Sequence, residues 1–192
     1  MDFPGIWVPP LLISSVSKYG TLEPTMQMFN GYTAATSGVF AATTGDVVLA
    51  PFTIPGPYEV RSMYWYNGSA SMNGNVTAGI YTVNTGSTTL TRLCTTTATA
   101  QSGTISIQTA NTTSTVRLTP GTYYFALTNS GTGPFYGRAV PTLAPLYGLY
   151  AFGWQSATPA TPGTLPATLT ASTFTGTRYP WIGCSRLSSG QY

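Results

Sequence analysis

Apolar residues in this chain do not recur every three or four positions over any window long enough for a capped helix. They alternate instead, in short runs closed by Gly, Pro or Asn. From Gly45 onward such runs return roughly every 10–15 residues, the spacing of strands in a sandwich or barrel. GDVVLAPFTI opens with Val47, Val48 and Leu49, and Pro51, which has no N–H to offer a neighbour, places that strand at a sheet edge. In YEVRSMYWY, strict alternation puts Tyr58, Val60, Tyr64 and Tyr66 on one face and Glu59, Arg61, Met63 and Trp65 on the other. NVTAGIYTV sets Val76, Ala78 and Ile80 on one face, and Tyr123, Phe125 and Leu127 do the same after the Pro120-Gly121 turn. TTLTRLCTT, GTISIQ, TVRL, GLYAFGW, TLTASTF and YPWIGCS continue the series.

This pattern predicts an all-β fold, a two-sheet antiparallel sandwich over residues 36–192 with almost no helix. A jelly roll is the expected topology, because its nested Greek keys use long connections such as the proline-rich ATPATPGTLP. The polar positions agree. There are 35 Thr residues, and a β-branched hydroxyl side chain suits the solvent face of a strand without adding charge. Residues 1–35 differ. Pro4, Pro9 and Pro10 interrupt isolated large apolar residues that follow no strand or helix period. Disordered tails lack such residues, so an extended arm that docks on a neighbouring subunit is expected, with Phe3, Ile6, Trp7, Leu11 and Leu12 as its contacts.

Charge narrows the function. Only 6% of residues are charged, against about 25% in an ordinary soluble protein. The net +3 is spread over Arg61, Arg92, Arg117, Arg138, Arg178, Arg186 and Lys18. No basic patch forms that could neutralise several phosphates, so nucleic acid is not an expected partner. Asp2 in place of a basic region and the early prolines do not read as a signal peptide, so none is expected, and no run approaches the ~20 apolar residues of a membrane span. A surface with so little charge repulsion suits a protein packed in an assembly, with a homo-oligomer expected.

Catalytic chemistry lacks its usual residues. Without histidine, Ser-His and Cys-His arrangements and the commonest transition-metal ligand are all missing. Asp2, Glu23, Asp46 and Glu59 are the only carboxylates, few for the paired acids of a glycosidase, and Glu59 has Arg61 two residues away on the same strand face. Calcium held by Asp46, Asn side chains and carbonyls lacks a spaced Asp ladder, so no metal or cofactor site is assigned. Cys94 and Cys184 are expected as buried free thiols, with a single bridge the alternative. Trp65 and Tyr81 could stack on a sugar ring as glycan contacts. Three successive aromatics at Tyr64, Trp65 and Tyr66 cannot share one strand face, however, and a core or protein interface accounts for them without a ligand.

The order VRSMYWYNGSASMNGNVTAGIYTV, AQSGTISIQT, LTPGTYYFALTNSGT resembles a module of tailed-bacteriophage virion proteins. Asn67-Gly68, Gly74-Asn75-Val76, Gly79-Ile80-Tyr81, Gln108 and Pro120 to Tyr124 carry the resemblance, which covers roughly residues 50–130. It implies a β-sandwich in a phage particle and no reaction. The expected role is a head decoration or cement protein in the virion, bound to the major capsid protein or other virion subunits. The alternative is a tail or fibre receptor-binding module. The Asn-Gly loop is expected to be a hairpin tip.

Overall fold

The computed structural model describes residues 21–22, 37–42, 44–54, 56–67, 73–83, 88–101, 106–131, 133–139, 153–155, 161–170, 178–180, 182–186 and 188. These residues form strands and no helix. In chain order the strands are β1 (Thr21–Leu22), β2 (Ser37–Ala42), β3 (Val47–Ile54), β4 (Tyr58–Tyr66), β5 (Asn75–Val83), β6 (Thr89–Thr95) and β7 (Thr99–Ala100). They continue with β8 (Ile107–Leu118), β9 (Gly121–Asn129), β10 (Gly133–Ala139), β11 (Gly153–Gln155), β12 (Thr168–Thr170), β13 (Arg178–Pro180) and β14 (Ile182–Ser185). One antiparallel sheet has the order β1-β14-β4-β8. A second runs β11-β3-β9-β5-β6-β12 with β7 on β5, and a three-stranded sheet has the order β13-β10-β2.

The first two sheets face each other across one apolar core. Val48, Ala50, Phe52 and Ile54 of β3, Val76, Ala78 and Ile80 of β5, and Tyr123, Phe125 and Leu127 of β9 meet Val60, Met63 and Trp65 of β4 and Ile182 of β14. Phe52 and Phe125 stack with ring centroids 3.9 Å apart. The alternation expected for β5 and β9 therefore holds. In β4 it does not, because Tyr58 and Val60 share the core with Met63 and Trp65. An irregularity lies between Val60, paired with Val116, and Ser62, paired with Asn111. Four residues of β8 oppose Arg61 alone, and such a bulge shifts the strand's phase by one. The extra residues bend toward the other sheet, where Thr96 bridges Thr112 and the Thr113 hydroxyl donates to the Thr95 carbonyl at 3.0 Å.

The Asn67–Gly74 connection is not the tip of a hairpin. It leads from β4 in the four-stranded sheet to β5 in the other, as the Pro120 turn leads from β8 to β9. Pro51 lies where β3 has β9 on one side, with Tyr124 as its partner, while β11 pairs only Val47 to Leu49. Among the described residues, position 51 thus has a paired strand on one side only, the local edge its missing N–H suggested. Thr21 and Leu22, inside the expected arm, pair with Ser185 and Cys184 of β14. Phe3, Ile6, Trp7, Leu11 and Leu12 lie outside the described residues.

Candidate functional site

Two built features stand out, one at an end of the sandwich and one on its outer face. At the end where β4 finishes, a chain of side-chain hydrogen bonds joins the two sheets. The Trp65 indole Nε1–H donates to Asn67 Oδ1 at 3.1 Å, and Asn67 Nδ2 donates to Gln108 Oε1 at 3.0 Å. Gln108 Nε2 then reaches the Ala100 carbonyl at 2.6 Å, next to β5 in the opposite sheet. The Asn67 backbone N–H donates to the Ser106 carbonyl, which fixes the start of β8. A buried indole N–H and two buried amides are tolerated here because each finds a partner.

The second feature covers the outer face of the larger sheet. Before joining the sheet as β12 beside β6, the chain at residues 163–166 packs on β5 and β6, and its carbonyls accept three side-chain donors: Thr77 Oγ1 to Gly163 at 2.6 Å, Tyr81 Oη to Pro166 at 2.6 Å, and Arg92 Nη1 to Leu165. Leu165 and Leu169 join Val47, Leu49, Tyr81, Leu90, Tyr124 and Ala126 in a second apolar cluster. Gly79 makes the fit possible, since a Cβ there would meet Leu165 Cδ1 at 2.6 Å and the Cys94 carbonyl oxygen at 2.9 Å. The proline-rich loop expected as a plain connection is in part a covering layer. A Gly inside an apolar strand signals such a close approach in sequence, while the roles of Thr77 and Arg92 carry no sequence signal.

The two expected glycan contacts are separated by this arrangement. Trp65 faces the inner core and Tyr81 lies beneath the covering segment, both 0% exposed. A ring with no exposed surface offers no face for a sugar. Burial also raises the Tyr81 hydroxyl's pKa, with Arg92 opposing. Ile107 is the exposed large apolar side chain among the described residues, at 56%. Glu59 and Arg61 pair at 2.6 Å in solvent, the structural use expected for them. No group of three His, Cys, Asp or Glu residues occurs among the described residues. No helix there is long and apolar enough to cross a membrane.

Cys94 and Cys184 enter the inner core from opposite sheets as free thiols. Burial pushes the Cys94 thiol from 9.0 up to about 12, opposed by a hydrogen bond with the Ile80 backbone and by Arg92. Burial, and then the nearby Cys94, push Cys184 well up. The folded protein therefore keeps protons that the unfolded chain releases near pH 9. The contribution of Cys94 is complete below that pH and falls as pH rises toward 12, by about 1.4 kcal/mol per pH unit, and Cys184 acts in the same direction. Urea midpoints on either side of the window measure this, and Cys94→Ala reduces the slope. A flat profile would mean that the thiols are exposed.

No protein-family model matches the chain, and no curated protein matches it either.

Proposed function

We propose that this chain is a non-enzymatic structural protein of a tailed-bacteriophage particle, a decoration or cement protein that binds the major capsid protein lattice and stabilises the head. One observation supports this most. Several of the residues that carry the resemblance to phage virion modules hold this fold together. Asn67 and Gln108 form the bridge between sheets, Gly79 and Tyr81 seat the covering segment, and Tyr123 is in the core. Shared motifs that serve a fold argue for a shared scaffold, and a scaffold without an assigned reaction suits a lattice-binding role.

The jelly-roll topology belongs to the same proposal. β3 pairs with β9 in one sheet while β4, its successor, pairs with β8, the predecessor of β9, in the other. A long two-stranded ribbon folded over itself gives this order, as in jelly rolls. The segment from Phe3 to Leu12 is the proposed anchor, with Phe3, Ile6, Trp7, Leu11 and Leu12 docking on a neighbouring subunit, whereas Thr21 and Leu22 of the expected 1–35 arm belong to the four-stranded sheet instead. Proline restricts the backbone of any chain that contains it, and three prolines in this segment would lower the entropy lost on binding. Many weak attachments, one per subunit of a homo-oligomer, would add through avidity.

The alternative, a tail or fibre receptor-binding module, loses its two named contacts to burial, so a glycan would need other side chains. Quantifying the chain in purified particles tests the proposal. A copy number that follows the capsid lattice supports the head. One that follows the tail axis supports the alternative.

A further inference from the structure

We propose that Asn73 is a self-modification site: its side chain cyclises onto the Gly74 nitrogen and opens to aspartate or isoaspartate, which loosens the seam between β5 and the turn after β9. The chemistry needs an Asn followed by a residue that does not hinder the attack, and glycine, with no Cβ, hinders it least. The chain has three such steps, Asn30-Gly31, Asn67-Gly68 and Asn73-Gly74. The first lies outside the described residues, and the fold treats the other two in opposite ways.

Asn67 is 0% exposed, and both ends of its amide are engaged, Oδ1 by the Trp65 indole and Nδ2 by Gln108. Cyclisation there would break both hydrogen bonds in a place closed to water, and buried polar groups lose heavily when their partners are removed. Asn73 and Gly74 are exposed. Asn73 also precedes the first ladder pair of β5, Asn75 with Ala100, so turning its side chain toward Gly74 unpairs no strand residue. Gly74 stands at φ +89, which other residues rarely adopt, and a Cβ there would collide with the Gly131 backbone. The fold itself therefore requires the glycine that makes Asn73 reactive.

The step balances with water as the only co-reactant. The Gly74 amide nitrogen gives its proton to solvent base and attacks Asn73 Cγ, the Cγ–Nδ2 bond breaks, and ammonia leaves. Water then opens the cyclic imide. Cleavage at Cγ restores the ordinary backbone and leaves aspartate. Cleavage at the main-chain carbonyl leaves isoaspartate, whose backbone runs through Cβ and is longer by that carbon.

The longer backbone enters a seam without room for it. The Asn73 carbonyl oxygen and Oδ1 lie against Gly131, where a Cβ would collide with both, and a Cβ on Gly163 would meet Ser130 Cβ at 2.7 Å. The Asn75 N–H donates to Ser130 Oγ at 2.9 Å, and the Ser130 N–H donates to the Asn75 carbonyl at 3.0 Å. Lengthening the chain at residue 73 displaces Asn75 against both bonds. Close-packed contacts pass such a shift on to their neighbours.

Peptide mapping by mass spectrometry tests the site, on the full chain kept folded in heavy-oxygen water at neutral and mildly alkaline pH. Position 73 should turn from amide to acid with label incorporated, faster as pH rises, while position 67 stays an amide. In urea the two steps should react at similar rates, because only the fold separates them. Asn73→Gln should remove the folded-state reaction at this position, since the longer side chain closes its ring far more slowly. The isoaspartyl fraction should melt below the wild type and below Asn73→Asp, which carries the charge without the added carbon. The proposal is overturned if position 73 stays intact in the folded chain under conditions that convert it in urea, or if position 67 converts as fast as position 73 in the folded chain. An isoaspartyl fraction with the wild-type Tm overturns the loosened seam.

Discussion

Trp65→Ala lowers the unfolding free energy by about 3–5 kcal/mol, the range for removing a fully buried large aromatic. The ring is 0% exposed in the cluster between the sheets, so the surroundings lose packing on every side. The indole N–H is lost as well, which leaves Asn67 Oδ1 without that donor at one end of the chain through Gln108 to the Ala100 carbonyl. Domains of this size have about 5–15 kcal/mol in total, so the variant sits near its unfolding threshold. Trp65→Phe keeps most of the apolar volume and should cost less, which separates packing from the hydrogen bond. Urea unfolding of both variants measures the difference. A loss below about 1 kcal/mol for Trp65→Ala would be the value of a surface residue, and would place the ring outside the core.

The second large effect belongs to the outer face. Gly79→Ala should destabilise by about 1–3 kcal/mol through overpacking, because its Cβ meets Leu165 Cδ1 and the backbone oxygen of Cys94. Leu165→Ala should cost about 2–5 kcal/mol, as for other buried leucines, and it loosens the segment that Thr77, Tyr81 and Arg92 hold. The two substitutions should not add. The methyl at position 79 enters space that Leu165 vacates, so the double variant loses less than the sum of the single ones. The contact with the Cys94 oxygen persists, so the compensation is partial. Strict additivity would mean that residues 161–170 do not cover β5.

Much of the fold was legible in residues whose signal is local. Val76, Ala78 and Ile80, and likewise Tyr123, Phe125 and Leu127, alternate without interruption, and all six face the core. β4 defeats the same logic because the bulge that shifts its phase arises from extra residues in β8, far away in sequence. The Asn-Gly signal marks a turn correctly, yet it cannot say whether the chain turns back within a sheet or crosses to the other. That depends on partners such as β8 and β9. β2 and β10 pair with each other although they are far apart in sequence, and their short Gly- and Ala-containing stretches give no strong alternation to find.

The proposed role, in which many copies of this chain reinforce a capsid lattice, is tested most directly by the chain's stoichiometry in purified particles. Quantitative mass spectrometry against the major capsid protein gives the ratio. The account predicts a fixed ratio set by the lattice, with the chain recovered alongside emptied heads and not with detached tails. It contradicts the account if the chain is found in the few copies of a tail ring or fibre, or if it is absent from particles altogether.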